Sequence, residues 1–308
     1  MKISIVTPTY NEQENIELLY NEIRNIFLKQ KINYEHIVID NNSNDNTQSI
    51  LKKLANEDKN LKLILNFNNY GHIKSPFHGI LQADGDAVIL IASDFQDPLN
   101  LIPVFINKWR LGSKIVLAQK KKSEENILIY FIRKFFYRIL RKISDNFLLE
   151  NTTGAGIFDK SVIEKLKKIK DPYPYFRGLI LELGFPIELI EFTQPKRQFG
   201  KTKNNFYTMY DIGMLGVVKH SRKPLRFLIF LGLLLSFLSF VIGFFYLIYK
   251  IIFWNTFNAG VAPMVIGFFF ISSIQIVLLG LVGEYVSIIL LHQRDMPLVH
   301  EKERINFD

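Results

Sequence analysis

Short runs rich in Val, Ile and Leu recur through the first part of the chain, at Ile3–Val6, His36–Ile39, Leu61–Leu65, Ala87–Ala92 and Lys114–Ala118. Between them lie stretches with apolar positions at helical spacing, near Asn15–Lys29, Thr47–Ala55, Ser75–Gln82 and Pro98–Arg110. Strand-length runs alternating with helix-period segments predict an α/β fold, a mostly parallel sheet covered by helices on both faces. The pattern changes at Phe227. Phe227–Tyr249 is 23 residues without a charge and Ala259–Gly283 is 25, separated by little more than Trp254–Asn258. Each is long enough to cross a bilayer as a helix, with some tilt, so the pair is expected to form a transmembrane hairpin. Helices this long and uncharged seldom suit the core of a small soluble domain.

Two further segments are amphipathic. In Ile127–Ile143, Leu128, Phe131, Ile132, Phe135, Ile139 and Ile143 fall at helical spacing, with Arg133, Lys134, Arg138, Arg141 and Lys142 largely on other faces. Asn205–Val218 reads similarly. Both fit helices lying in the headgroup plane; surface helices packed on the sheet are the competing reading. The expected organisation is an α/β domain over 1–204, an amphipathic juxtamembrane helix over 205–226, two spans over 227–291 and a cytoplasmic tail over 292–308.

Charge sharpens this. Residues 120–142 contribute +6 and residues 196–226 contribute +7 of the formal +9, leaving the rest of the chain at −4. Such asymmetry points to an anionic partner, nucleic acid or a membrane surface. The interleaved aromatics and the adjoining spans favour the membrane over nucleic acid. Lys219, Arg222, Lys223 and Arg226 precede the first span while the linker region offers only Lys250, which by the positive-inside rule places both termini in the cytoplasm. No leader-like segment precedes the first strand, so the soluble half is expected to stay there. Glu284, near the end of the second span, reads as interfacial. The absence of Cys excludes disulfides, thiolate metal sites and Cys nucleophiles.

Three of the expected strands end in polar clusters: Thr7-Pro8-Thr9-Tyr10-Asn11-Glu12, Asp40-Asn41-Asn42-Ser43-Asn44-Asp45 and Ser93-Asp94-Phe95-Gln96-Asp97. In a parallel sheet all three open onto one edge, where α/β proteins bind ligands. Any one of them could be only a turn and a helix N-cap; three at one edge argue for a site. Asp94 and Gln96 offer hard oxygen ligands for Mg²⁺ or Mn²⁺, ions usually held by one or two carboxylates plus substrate phosphates. No glycine-rich phosphate loop follows the first strand, which argues against a P-loop ATPase or a dinucleotide enzyme.

These motifs, with Ala83-Asp84-Gly85-Asp86 and the Pro195-Lys196-Arg197-Gln198-Phe199-Gly200-Lys201-Thr202-Lys203 stretch, resemble the family 2 glycosyltransferases of GT-A fold. With the amphipathic segment and two spans that follow, the chain is similar to the branch that glycosylates polyisoprenyl phosphates, which includes dolichol-phosphate mannose synthase and bacterial undecaprenyl-phosphate glucosyltransferases. The resemblance covers nearly the whole chain in order. It implies inverting transfer of a sugar from a UDP- or GDP-linked donor to a membrane polyprenyl phosphate, with undecaprenyl phosphate the expected acceptor, at the inner membrane. Position by position, it implies that Pro8, Tyr10, Glu12 and Asp40, with Asp94, bind the nucleotide. Asp94 and Gln96 would hold the Mg²⁺ or Mn²⁺, and Arg197 and Lys203 would close over the phosphates. Relatives imply a homo-oligomer, a tetramer among the options.

The chain also departs from the family pattern. Many relatives carry Asp-x-Asp-x-Gln at the metal site, whereas Ala92 stands at the first position here. Asp97 is either a compensating ligand or a cap for a helix beginning at Pro98. At Thr152-Thr153-Gly154-Ala155-Gly156-Ile157-Phe158-Asp159 the family's acidic, aromatic and basic residues are replaced by small ones, so no general base is assigned. Asp159 remains a candidate base against a helix N-cap. Two alternatives stand beside the main reading: a membrane glycosyltransferase with another lipid or glycan acceptor, and an inactive nucleotide-sugar-binding scaffold.

Overall fold

Each of the five apolar runs forms a strand: β1 (Lys2–Thr9), β2 (Asn33–Asp40), β3 (Leu61–Asn66), β4 (Ala87–Leu90) and β5 (Ile115–Lys122). The four intervals hold α1 (Ile16–Gln30), α2 (Thr47–Glu57), α3 (Gly71–Leu81) and α4 (Leu101–Arg110). The computed structural model describes residues 1–122, 151–195, 215, 219, 223–253, 261–294 and 296–307. Later in the chain come β6 (Thr152–Asp159), α5 (Lys160–Lys167), α6 (Phe176–Glu182), β7 (Ile187–Thr193), α7 (Lys223–Ile252), α8 (Val261–Gln293) and β8 (Glu301–Ile305). The Ile127–Ile143 helix lies outside the described residues, as does most of the 205–218 helix.

The eight strands form one sheet in the order β7-β5-β6-β4-β1-β2-β3-β8. Strands β1 to β4 are parallel to one another. β6 runs against both β4 and β5, and β5 is parallel to β7, so β1–β5 and β7 all point the same way. Alternate strand residues feed two cores. Ile3, Ile5, Val38 and Ile89 pack with α1, α2 and α4 on one face. Val6, Ile37, Ile39 and Val88 pack with α3, α5 and α6 on the other. This two-sided burial is why the parallel strands read as continuous apolar runs rather than alternating ones.

β6 hid from the pattern because its middle is built of small residues, and the structure shows why they are there. A Cβ on Gly156 would stand 2.2 Å from the Val116 carbonyl oxygen and 3.1 Å from the Leu117 Cα. Only glycine lets β6 approach β5 this closely.

The segment expected as a tail is structural instead. β8 pairs antiparallel with β3. Its Glu303 meets Lys52 at 2.6 Å, and Asn306 Nδ2 donates to the Ala55 and Leu61 carbonyls at 2.7 and 2.8 Å. Val299 is buried and Phe307 packs on the second core. A strand reading Glu-Lys-Glu-Arg-Ile carries no apolar run, yet it suits a sheet edge, where charge discourages pairing with other chains.

Helices α7 and α8 are apolar on every side. Their candidate spans, Leu225–Ile252 and Gly267–Gln293, contain 28 and 27 residues, or about 42 and 40 Å at ~1.5 Å per residue. Both are long and apolar enough to cross a bilayer core of about 30 Å. Side chains such as Phe230 and Leu279 stand 70% exposed, so these faces need an apolar medium or an apolar partner.

Replacing Gly156 with Ala should destabilise the protein by about 1–3 kcal/mol, because β5 or β6 must shift to admit the methyl group. Thermal unfolding of the purified full chain measures this; an unchanged melting temperature would remove the close-approach explanation.

Candidate functional site

Because β1, β2, β3 and β4 share a direction, the loops that follow them meet at one edge, and those after β1, β2 and β3 are bonded to one another. After β1, Asn11 turns at φ +52° and Asn42 after β2 turns at φ +62°. The Asn11 N–H donates to Ser43 Oγ at 2.8 Å, and the Asn44 N–H returns a bond to Asn11 Oδ1 at 2.7 Å. The Glu12 N–H donates to Thr47 Oγ1 at 2.9 Å, tying the start of α2 to the β1 loop. Asn and Asp are the side chains that tolerate left-handed backbone and satisfy loop N–H groups locally.

Of the expected nucleotide-binding residues, Pro8 lies in β1 opposite Ile39, and Pro8 and Tyr10 are half-buried at the head of this edge. Glu12 is buried and accepts from Asn15 Nδ2 at 2.6 Å. Asp40 is fully buried. Burial raises its carboxyl above the usual range, against hydrogen bonds from Ser43 and Gln48 that hold it down. The structure brings these four together.

A fourth wall escaped the sequence reading. Buried Asn66, at the end of β3, donates to Asn41 Oδ1 at 3.1 Å and to Ser75 Oγ at 3.2 Å. Asn41 in turn accepts from the Tyr70 N–H and donates to the Gly71 carbonyl. The polar run Asn66–Gly71 after a strand was the available signal.

A family model for glycosyl transferase family 2 matches residues 4–167, the segment that contains all of these loops. The chain belongs to that family. A bactoprenol glucosyl transferase of Shigella phage SfX is 31% identical over 306 residues, covering 99% of this chain and 100% of that one. A prophage bactoprenol glucosyl transferase homolog of Escherichia coli K12 is 31% identical over 289 residues, covering 93% and 94%. Among solved structures, glucosyl-3-phosphoglycerate synthase of Mycobacterium tuberculosis, with Mn²⁺, UDP and phosphoglyceric acid, matches at TM-score 0.49 with 14% identity, over 70% of this chain and 76% of that one.

At the candidate metal position, Phe95 adopts φ +59° and turns into the core, leaving Asp94 and Gln96 half-buried on either side of it. The Gln96 N–H donates to Asp94 Oδ1 at 3.1 Å. Asp97 is 6% exposed. Burial pushes its carboxyl up, and the charge of Asp94 pushes the same way, against the Thr153 hydroxyl, the Ala92 N–H and Lys120. Its Oδ1 has no hydrogen-bond partner among the described residues, a costly state for a buried oxygen. The N-cap reading of Asp97 is corrected: α4 starts at Leu101 and its N-cap position is Asn100.

These residues fit a divalent ion. Asp94 and Gln96 would supply hard oxygens, and the Asp97 oxygen without a partner would add a second carboxylate. No cluster of three or more His, Cys, Asp or Glu suited to a metal occurs among the described residues, so the remaining ligands would come from substrate and water.

Asp159 is elsewhere. It pairs with Ala87 at the start of β4, the sheet edge opposite Asp94. There it caps α5, accepting from the Ser161 N–H at 3.1 Å, and it takes bonds from Trp109 Nε1 and Lys114 Nζ at 2.8 and 3.0 Å. Burial would raise its carboxyl, but these donors outweigh it and hold the group at about 2. It is a cap, and the general-base reading is corrected. Arg197 and Lys203 lie outside the described residues.

Asp159→Ala should therefore cost about 1 kcal/mol of stability through the lost cap and leave nucleotide-sugar binding unchanged. The folded carboxyl lies below its unfolded value, so the wild-type advantage exists at neutral pH and fades as pH falls from about 4 toward 2. Melting curves of the two proteins across that range, with calorimetric titration of UDP-sugar, test both statements.

Proposed function

We propose that this protein transfers a sugar, with inversion, from a nucleotide-diphosphate donor to the phosphate of a membrane polyprenol, with undecaprenyl phosphate as the acceptor. The observation that carries the reading is the 31% identity to a bactoprenol glucosyl transferase over 99% of this chain and 100% of that one. The similarity thus runs through the polar sheet edge and the apolar helix pair alike. Topology supports the membrane half. The chain leaves the sheet before α7 and returns to it as β8 after α8, so both ends of the pair lie on the side of the catalytic unit, as a hairpin of two crossings requires. Lys219 and Arg222 ahead of α7, with Lys223 and Arg226 in its first turn, against Lys250 alone near its far end, put that side in the cytoplasm.

The chain's own groups divide the work. Asp40 and Glu12, with Pro8 and Tyr10 at the rim, bind the nucleoside end of the donor. Asp94 and Gln96, with Asp97 behind them, hold a Mg²⁺ or Mn²⁺ ion, which supplies positive charge to offset that developing on the departing diphosphate. Arg197 and Lys203 add cationic charge to the same phosphates. A phosphate acceptor is ionised at neutral pH, so the reaction needs no strong general base, which accords with a carboxylate-poor β6 and with Asp159 at the far edge.

Purified full-length protein, undecaprenyl phosphate, Mg²⁺ or Mn²⁺ and a panel of radiolabelled UDP- and GDP-sugars should give label in the organic phase with at least one donor. EDTA should abolish it. Asp94→Ala should lower turnover at least ~100-fold, equivalent to about 2.7 kcal/mol of transition-state stabilisation. No lipid-linked product with any donor would overturn the reading, and full turnover by Asp94→Ala would overturn the metal assignment.

A further inference from the structure

One carboxylate joins the soluble unit to the chain at both ends of the apolar helix pair. Asp171 lies in the connection between α5 and α6, and its Oδ1 accepts the Tyr173 N–H at 3.0 Å. The same oxygen takes the Lys219 ammonium, four residues ahead of α7. Lys219 also donates to the Tyr173 carbonyl at 2.7 Å. From the end of α8, His292 brings its Nε2 to 3.6 Å from Asp171 Oδ1 while its Nδ1 donates to the Ile288 carbonyl at 2.9 Å. The Asp171 and Lys219 side chains are only 9% and 7% exposed. Burial lowers the Lys219 pKa against the pull of Asp171. A buried ion pair of this kind is sensitive to loss of either member.

The connection that carries Asp171 is stiff and leads to the candidate site. Pro172 and Pro174 fix two backbone angles, and Lys74 lies 5.5 Å over the Tyr173 ring. Phe176 then packs edge-on against Phe77 and Phe158 at 6.1 and 5.0 Å. Next to it, Arg177 Nη2 donates to the Thr153 carbonyl at 3.0 Å, and Thr153 is the residue that bonds Asp97. From Asp171 to Arg177 the chain can extend no more than about 20 Å.

We propose that Asp171 is a positioning residue: its contacts with Lys219 and His292 fix the height and tilt of the Asp94–Asp97 edge above the bilayer, where the phosphate of a lipid acceptor emerges. Resting on the reading under Proposed function, it adds the element that brings the two substrates' phases into register. Asp171 touches neither substrate. Its loss leaves the nucleotide pocket intact and frees the catalytic unit to rock on its tethers.

The chain has no Cys, so Asn100→Cys, exposed ahead of α4, gives a single labelling site. Full-length labelled protein in phosphatidylcholine vesicles containing a headgroup-labelled acceptor lipid reports the distance from this edge to the bilayer by energy transfer. Wild type should give one narrow lifetime distribution. Asp171→Asn, which keeps an acceptor for the Tyr173 N–H, should broaden it, Lys219→Met should do the same, and the double variant should go no further than either single one. In parallel, both variants should raise the KM for undecaprenyl phosphate in vesicles about tenfold while the donor KM and the UDP-sugar Kd stay within twofold. An unchanged distribution in both variants overturns the proposal. So does a broadened one with an unchanged lipid KM, or an equal loss toward donor and lipid. If Asp171→Asn fails to bind UDP-sugar for want of folding, Lys219→Met decides by the same readings. Wild type that transfers nothing to undecaprenyl phosphate overturns the proposed reaction, while the lifetime distributions still decide on their own whether Asp171 orients the domain.

Discussion

The hydrogen-bond ladder around β1 sets where the polar loops of the candidate site stand. β1 pairs in parallel with β2 on one side and β4 on the other, placing Thr9 beside Asp40 and Val6 beside Leu90. Parallel strands cannot be joined by tight turns, so each must end in a loop that leads into a helix and back across the sheet. Three such loops at neighbouring strand ends give an edge lined with backbone N–H groups and short polar side chains. The bonds of Asn11 to Ser43 and Asn44 show the loops using each other as partners. A ligand arriving there meets a wall that is already ordered, and binding spends little on fixing it.

The reversal at β6 is the other constraint. Strand β6 runs between β4 and β5 against both, so its first residues, Thr152 and Thr153, stand at the ligand edge and its last, Asp159, at the opposite one. This separates two aspartates that look alike in sequence. Asp97 sits behind Asp94 with a buried oxygen lacking a partner among the described residues, whereas Asp159 is surrounded by four donor groups, on Ser161, Trp109 and Lys114. Both have a helix start nearby, and from local sequence a cap was open to each. Only strand direction tells them apart.

That contrast marks how far the sequence could be read. The five parallel-direction strands from Ile3 to Ala118 and the helices between them were legible because burial on both faces writes apolar runs and helix-period stripes into the chain. The sheet-edge site was legible for the same reason, since three runs stop at polar clusters. β6 was not, because a close approach at Gly156 demands small residues that carry no strand signal. β7 and β8 were not, because edge strands are half-exposed: Glu188 and Glu191 on β7 pair with Lys108 and Lys121, and β8 is mostly charged. The Asn41–Asn66–Ser75 network was missed because buried amides resemble turn residues until their partners are seen.

Charge shows how such a unit can work beside a bilayer. Outside the 120–142 and 196–226 segments the chain carries −4, and an anionic leaflet repels a body of that sign. The two basic segments contribute +6 and +7, and a Lys or Arg close to an anionic surface gains about 1 kcal/mol, so attraction outweighs repulsion if they face the membrane. Attraction of this kind is soft in angle and weakens with salt. It can bring the catalytic unit down to the headgroups, but it cannot choose which edge points at a phosphate. The covalent return through β8 narrows the choice, and a short-range contact such as Asp171 with Lys219 narrows it further, because an ion pair this buried tolerates far less movement than a diffuse field.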